Sequence, residues 1–168
     1  MLRVRTSRMV RTQALTLRDG VVALGFVLVV NALGALPAVF FGSETDWIDR
    51  PWFYPPEILF PIVWTLLFTL LGVALFIIWR QGIERRGVRA ALIAFCAQFI
   101  LNLAWTPAFF GLQRPGLGLL VITMLWVAIL ATIATFYRVS RVAAALLVPY
   151  LGWVSFALVL NYAIYAGV

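Results

Sequence analysis

With 168 residues, 64% hydrophobic and only 11% charged, and a mean hydropathy of +1.04, the chain is too apolar for a soluble domain, where roughly a quarter of residues are charged. The formal charge of +7 comes from thirteen Arg with no Lys and no His, and these arginines flank apolar runs instead of clustering on one face, which sets nucleic acid aside as a partner. Without histidine and with one cysteine, the chain has no zinc-ligand spacing, no Ser-His or Cys-His nucleophile pair and no haem-ligating imidazole; Cys96 reads as a small buried hydrophobe.

Taken in chain order, residues 1–20 form a basic tail carrying Arg3, Arg5, Arg8, Arg11 and Arg18 against the single acid Asp19, suited to an anionic lipid surface. A basic start before an apolar run also fits a signal peptide, but Val21–Phe41 is long for one and reads as a first membrane helix. Four further segments are long enough to cross the hydrocarbon: Ile58–Trp79, Ala90–Phe110, Leu117–Tyr137 and Val142–Ala166. The later connections, Arg80–Arg89, Gly111–Gly116 and Arg138–Arg141, are short and predict antiparallel neighbours. The fold class is therefore an all-α integral membrane protein, a five-helix bundle over residues 21–168.

The long connection Gly42–Glu57 differs from the others. From Trp47 to Trp64, rings alternate with Pro51, Pro55, Pro56 and Pro61, which forbid a regular helix before Pro61. Trp and Tyr suit the membrane–water boundary, so this stretch reads as an ordered cap over the bundle. Eleven of the thirteen arginines fall on the N-terminal side, leaving Arg50 and Arg114 on the other. The N-terminus is then cytoplasmic, with the cap and the C-terminus outside.

Inside the spans, Asn31, Gln98, Asn102 and Asn161 are the deep amides. Gln98, Asn102, Trp105 and Phe109 fall on one face of the third helix by their spacing of four, three and four; Phe60, Trp64 and Phe68 share a face of the second, and Trp153, Ala157 and Asn161 of the fifth. Such stripes can be helix packing with amides as interhelical glue. They can equally line a pocket for a flat hydrophobic ligand, because Trp rings are too large for close helix contact and the cap would close over their outer ends.

The segment Arg50-Pro51-Trp52-Phe53-x-Pro55-Pro56 followed by Phe60-Pro61-x-x-Trp64, then Gln98-x3-Asn102-x2-Trp105-Thr106-Pro107-x-Phe109-Phe110-Gly111, then Pro149-Tyr150-Leu151-x-Trp153-x3-Ala157-x3-Asn161, resembles in order the motifs of the TspO/MBR family of translocator proteins. The likeness runs from about Val21 to Tyr165. It implies porphyrins and synthetic aromatic ligands as partners, porphyrin being a ligand and not a cofactor, bound at Trp64, Phe68, Asn102, Trp105, Trp153 and Ala157; to these the ligand site adds Phe60 and Phe109 from the shared helix faces and Trp52 from the cap. One departure concerns sterols: the fifth helix ends Leu160-Asn161-Tyr162-Ala163-Ile164-Tyr165 with no basic residue after either Tyr, so the sterol pattern proposed for animal members is incomplete.

Three functions follow. The leading one is a membrane receptor, sensor or carrier for tetrapyrroles and other flat lipophiles. The second, implied by an activity attributed to relatives, is photo-oxidative porphyrin breakdown with Trp64 and Trp153 as redox-active side chains. The third is passive transport, since ion-coupled carriers place ionisable groups in the membrane and this chain has none there away from the helix ends. Gly87, Ala90, Ala91, Ala94 and Ala97 make a small-residue surface on the third helix. Together with the resemblance it predicts a homodimer through that helix, packing within the chain being the alternative.

Overall fold

The computed structural model describes residues 16–42 and 44–168, so the tail arginines from Arg3 to Arg11 lie outside it. All regular structure among the described residues is helical: α1 (Leu17–Phe41), α2 (Leu59–Trp79), α3 (Val88–Thr106) running into a π-helical turn (Pro107–Gly111), α4 (Pro115–Val139), α5 (Arg141–Leu146) and α6 (Val148–Ala166). Five spans are long and apolar enough to cross a membrane, the fifth made of α5 and α6 together. A helix satisfies its own backbone, which is what hydrocarbon demands of any spanning segment.

The first helix starts before the apolar run does. Thr16 caps it, its hydroxyl accepting from the Asp19 amide at 3.2 Å while the Asp19 carboxylate accepts from the Thr16 amide at 2.9 Å. This reciprocal box moves the end of the tail back to residue 16. Asp19 also meets Arg80 at 3.3 Å, tying the start of α1 to the end of α2. At the other spans proline decides the irregularities. Pro107 cannot donate to the α3 ladder, and Leu112 N–H reaches back five residues to the Pro107 carbonyl at 2.9 Å. The fifth span, expected to be continuous, breaks at Leu147 ahead of Pro149, where Leu147 N–H closes a tighter turn on the Ala144 carbonyl at 3.1 Å.

Around the bundle the order is α1, α2, the α5–α6 span, α4, α3 and back to α1, with α5 set between α2 and α4. Small residues bring the helices together at the arginine-rich end: Ala74, Ala91, Ala143 and Ala144 are all buried there. Gly72 is where α1 seats on α2, since a Cβ on it would stand 2.6 Å from Val27 Cα. Ala91 therefore belongs to the chain's own core, whereas Ala90 and Ala97 are exposed and Ala94 is intermediate. Cys96 is exposed on α3 and not buried, because the interior of that helix is taken by Phe95, Gln98, Phe99 and Asn102.

Gly72→Ala is expected to force α1 away from α2 and lower stability by about 1–3 kcal/mol. Gly152→Ala, where a new Cβ meets nothing within 4 Å, provides the matched neutral change. Thermal unfolding of both variants in the same detergent measures the difference; equal midpoints would contradict the contact.

Candidate ligand cavity

The cap, Gly42–Ile58, is built by turns and side-chain bonds. Ile48 N–H bonds the Thr45 carbonyl at 3.1 Å, Tyr54 N–H the Pro51 carbonyl at 2.9 Å, and Trp47 Nε1 donates to the Glu44 carbonyl at 3.0 Å. Arg50 Nη2 reaches Glu57 Oε1 at 2.6 Å and Thr45 Oγ1 at 2.5 Å, and the Thr45 hydroxyl donates to Glu57 at 2.8 Å. Rings fasten this loop to the bundle: Trp47 meets Phe109 at 5.4 Å, Tyr54 meets Phe60 at 5.7 Å and Phe53 meets Phe156 edge-on at 6.5 Å. Partial burial pushes the Tyr54 phenol above its ordinary range, so it stays neutral beneath the cap.

Under the cap lies a cavity of about 490 Å³. Its α2 wall is Phe60, Pro61, Trp64, Thr65 and Phe68; its α3 wall is Asn102, Trp105 and Thr106, continued by Phe110; α1 supplies Asn31, Gly34, Ala35 and Ala38; Thr45, Tyr54 and Glu57 form the roof. Trp64 stacks on Phe68 at 5.2 Å between centroids, and Phe68 in turn abuts Gly34, where a Cβ would fall 2.4 Å from the ring. The space is large enough for a drug-sized flat molecule, and apolar faces with a few convergent polar atoms are what such ligands require.

Five of the residues expected from sequence, Phe60, Trp64, Phe68, Asn102 and Trp105, thus meet around one cavity. Ala157 lines a small void of about 10 Å³ that shares Trp64, Asn102 and Trp105 with it. The others stand elsewhere. Phe109 is 2% exposed and lies behind the wall, stacked on Trp105 at 5.1 Å, because the π-helical turn brings Phe110 to the cavity in its place. Trp153 sits behind Phe60, edge-on at 5.9 Å, with its buried Nε1 lacking a partner. Trp52 is 95% exposed on the outside of the cap, since the Pro51–Tyr54 turn points Tyr54 inward two residues later. Absent from the sequence-derived set were the α1 lining and the roof. The first had a visible signal, with Asn31, Gly34, Ala35 and Ala38 at helical spacing on one face.

A second layer fixes the wall. Asn102 Nδ2 donates to Tyr150 Oη at 2.9 Å, and Tyr150 donates to Gln98 Oε1 at 3.0 Å. Trp105 Nε1 donates to Asn161 Oδ1 at 3.1 Å, and Asn161 Nδ2 to the Pro115 carbonyl at 2.9 Å. The amides are therefore both interhelical ties and, through Asn102, part of the cavity. Among the described residues no cluster of metal-ligating side chains occurs. Tyr150→Phe strands the Asn102 amide and the Gln98 carbonyl together, so a loss of about 1–3 kcal/mol in thermal stability is expected. Unchanged unfolding would show that this chain of bonds contributes nothing.

The sequence profile of the TspO/MBR family matches residues 26–166. The chain is 42% identical over 137 residues to the tryptophan-rich protein TspO of Chlorobaculum tepidum, covering 79% of this chain and 87% of that one. It is 35% identical over 117 residues to the tryptophan-rich sensory protein of Cereibacter sphaeroides, covering 70% and 72%, and 33% identical over 150 residues to the human translocator protein, covering 85% and 88%.

Proposed function

The chain belongs to the TspO/MBR family, and on that premise we propose that this multi-pass membrane protein is a receptor for porphyrins and related flat lipophiles, which it binds in the cavity under the cap. The observation that carries the reading is a cavity of about 490 Å³ with Phe60, Trp64 and Phe68 along its α2 wall and Trp105 on α3, where Asn102 adds a fixed polar atom. Flat π-faces and one oriented amide suit a macrocycle with polar centres. The likeness to the tryptophan-rich sensory protein of Cereibacter sphaeroides supports a signalling role. Photo-oxidative breakdown draws less support: Trp64 faces the cavity, but Trp153, its second candidate redox residue, lies behind Phe60.

Protoporphyrin titrated into the detergent-purified protein, followed by its own absorbance so that removed tryptophans do not bias the signal, tests this. Trp64→Ala and Asn102→Ala are each expected to weaken binding about tenfold, the equivalent of ~1.4 kcal/mol. Trp52→Ala, outside the cavity, is expected to leave it unchanged. Affinity unaffected by the first two, or lost only with Trp52, would move the site elsewhere.

The receptor is further proposed to be a homodimer through α3. Support comes from Ala90 and Ala97, which lie exposed two turns apart on the outward face of α3, well separated from Asn102, in a solvent where small residues and not hydrophobic burial drive helix association. The N-terminus is proposed to be cytoplasmic, because Arg18, Arg80, Arg85, Arg86, Arg89, Arg138 and Arg141 all lie at the end opposite the cap. Ala90→Leu with Ala97→Leu is expected to halve the detergent-corrected mass in light scattering while leaving porphyrin affinity intact. A dimer indifferent to both leucines has its interface on another helix.

A further inference from the structure

We propose that Arg50 is the seat for a ligand carboxylate, which it takes up in exchange for Glu57. The inference rests on the cavity being a porphyrin site and adds which chemical form of the macrocycle it selects. Every contact of the Arg50 guanidinium is with a residue of the cavity roof: it bonds Glu57 at 2.6 Å and Thr45 at 2.5 Å and lies 5.3 Å from the centre of the Tyr54 ring. Among the described residues Glu57 is the one carboxylate lining the cavity. A flat molecule whose rings occupy the aromatic part of the cavity would therefore bring any substituent at its upper edge to this pair.

The two partners are not held alike. The guanidinium has three contacts, from Glu57, from Thr45 and from the Tyr54 face. The Glu57 side chain is 61% exposed, against 42% for Arg50, and is held only through Oε1, which accepts from Arg50 and, at 2.8 Å, from the Thr45 hydroxyl. Half-exposed ion pairs are weak, so exchanging Glu57 for another carboxylate costs little, the Thr45 hydroxyl being able to donate to either. A ligand carboxylate buried under the cap, by contrast, needs a charged donor, and a guanidinium already in place offers a two-pronged one. The expected occupant is a flat lipophile with an acidic edge, such as a porphyrin bearing carboxylates, in preference to its uncharged ester.

Protoporphyrin and its dimethyl ester, titrated separately into the full-length protein, decide the matter, the ester serving as the control for an intact cavity. The wild type is expected to bind the diacid at least tenfold more tightly than the ester. Arg50→Gln should remove that preference while leaving ester affinity unchanged, Arg50→Lys should restore part of it, and Glu57→Gln, which removes the competing carboxylate, should strengthen diacid binding several-fold. If the wild type binds diacid and ester equally, or if Arg50→Gln weakens both alike, Arg50 only props the cap and the exchange is wrong while the porphyrin site stands. If the wild type binds neither compound, the porphyrin reading fails and takes this inference with it.

Discussion

Aromatic rings on α2, α3 and α6 surround the space under the cap, and the rest of the structure is arranged around it. In lipid there is no hydrophobic drive to close a gap between helices, so their spacing is set by the size of the side chains between them. At the arginine-rich end Gly72, Ala74, Ala91, Ala143 and Ala144 are buried beside larger side chains, among them Phe95 and Phe136 stacked at 6.3 Å between α3 and α4, and the space is filled. At the cap end the side chains are Phe60, Trp64, Phe68, Trp105 and Trp153, and between α2 and α6 the rings themselves bridge, Trp64 to Tyr150 at 6.3 Å and Phe60 to Trp153 at 5.9 Å. The hollow lies where rings line the gap under the cap without filling it.

A hollow in hydrocarbon is useful only if its walls keep their shape, and here hydrogen bonds between helices provide this. Tyr150 accepts from Asn102 and donates to Gln98, holding α6 against α3; Asn161 accepts from Trp105 and donates to the Pro115 carbonyl, holding α6 against both α3 and the start of α4. The Gly118 backbone must lie close for the second of these to form: a Cβ there would stand 2.7 Å from the Phe109 ring and 3.0 Å from Asn161 Oδ1. Each bond is worth only about 1 kcal/mol, yet leaving one atom unpaired in this interior costs more than the bond contributes, which makes the arrangement discrete.

Most of the fold was legible because its signals are collective. Twenty-residue apolar runs, arginine-marked connections and a proline-rich aromatic loop each survive the misreading of any single residue. The boundaries that moved did so for local reasons: the Thr16–Asp19 box extended α1 backward, Pro107 opened a π-helical turn, and Pro149 split the fifth span. The site was legible where regular helix carries it, as for Trp64, Phe68, Asn102 and Trp105. It was not where the backbone leaves that regularity. Phe109 and Phe110 exchange roles because the π-helical turn rotates them relative to an α-helix, and Trp52 and Tyr54 exchange roles because a turn, not a period, directs them. Cys96 read as buried since apolar residues inside a soluble protein usually are; in a membrane the outward face of α3 is equally apolar.

The cap differs in kind from the walls. Its backbone bonds are few and local, and what closes it are three rings laid on the bundle and one charged cluster at the surface. Walls fixed by bonds deep in the bundle and a roof fixed by bonds nearer the water have different stabilities, since the Arg50–Glu57 pair of the roof can exchange protein for water whereas an opening of the wall strands polar groups in hydrocarbon. Any motion that admits a ligand is therefore to be sought in the roof. Trp52 fits this division: on a loop at the water boundary, a ring exposed on the outer side is placed to rest among lipid headgroups, anchoring the cap to the membrane surface while Tyr54, on the inner side of the same turn, faces the cavity. One short turn between prolines thus gives the cap two aromatic faces, the outer set by the membrane and the inner by the space it covers.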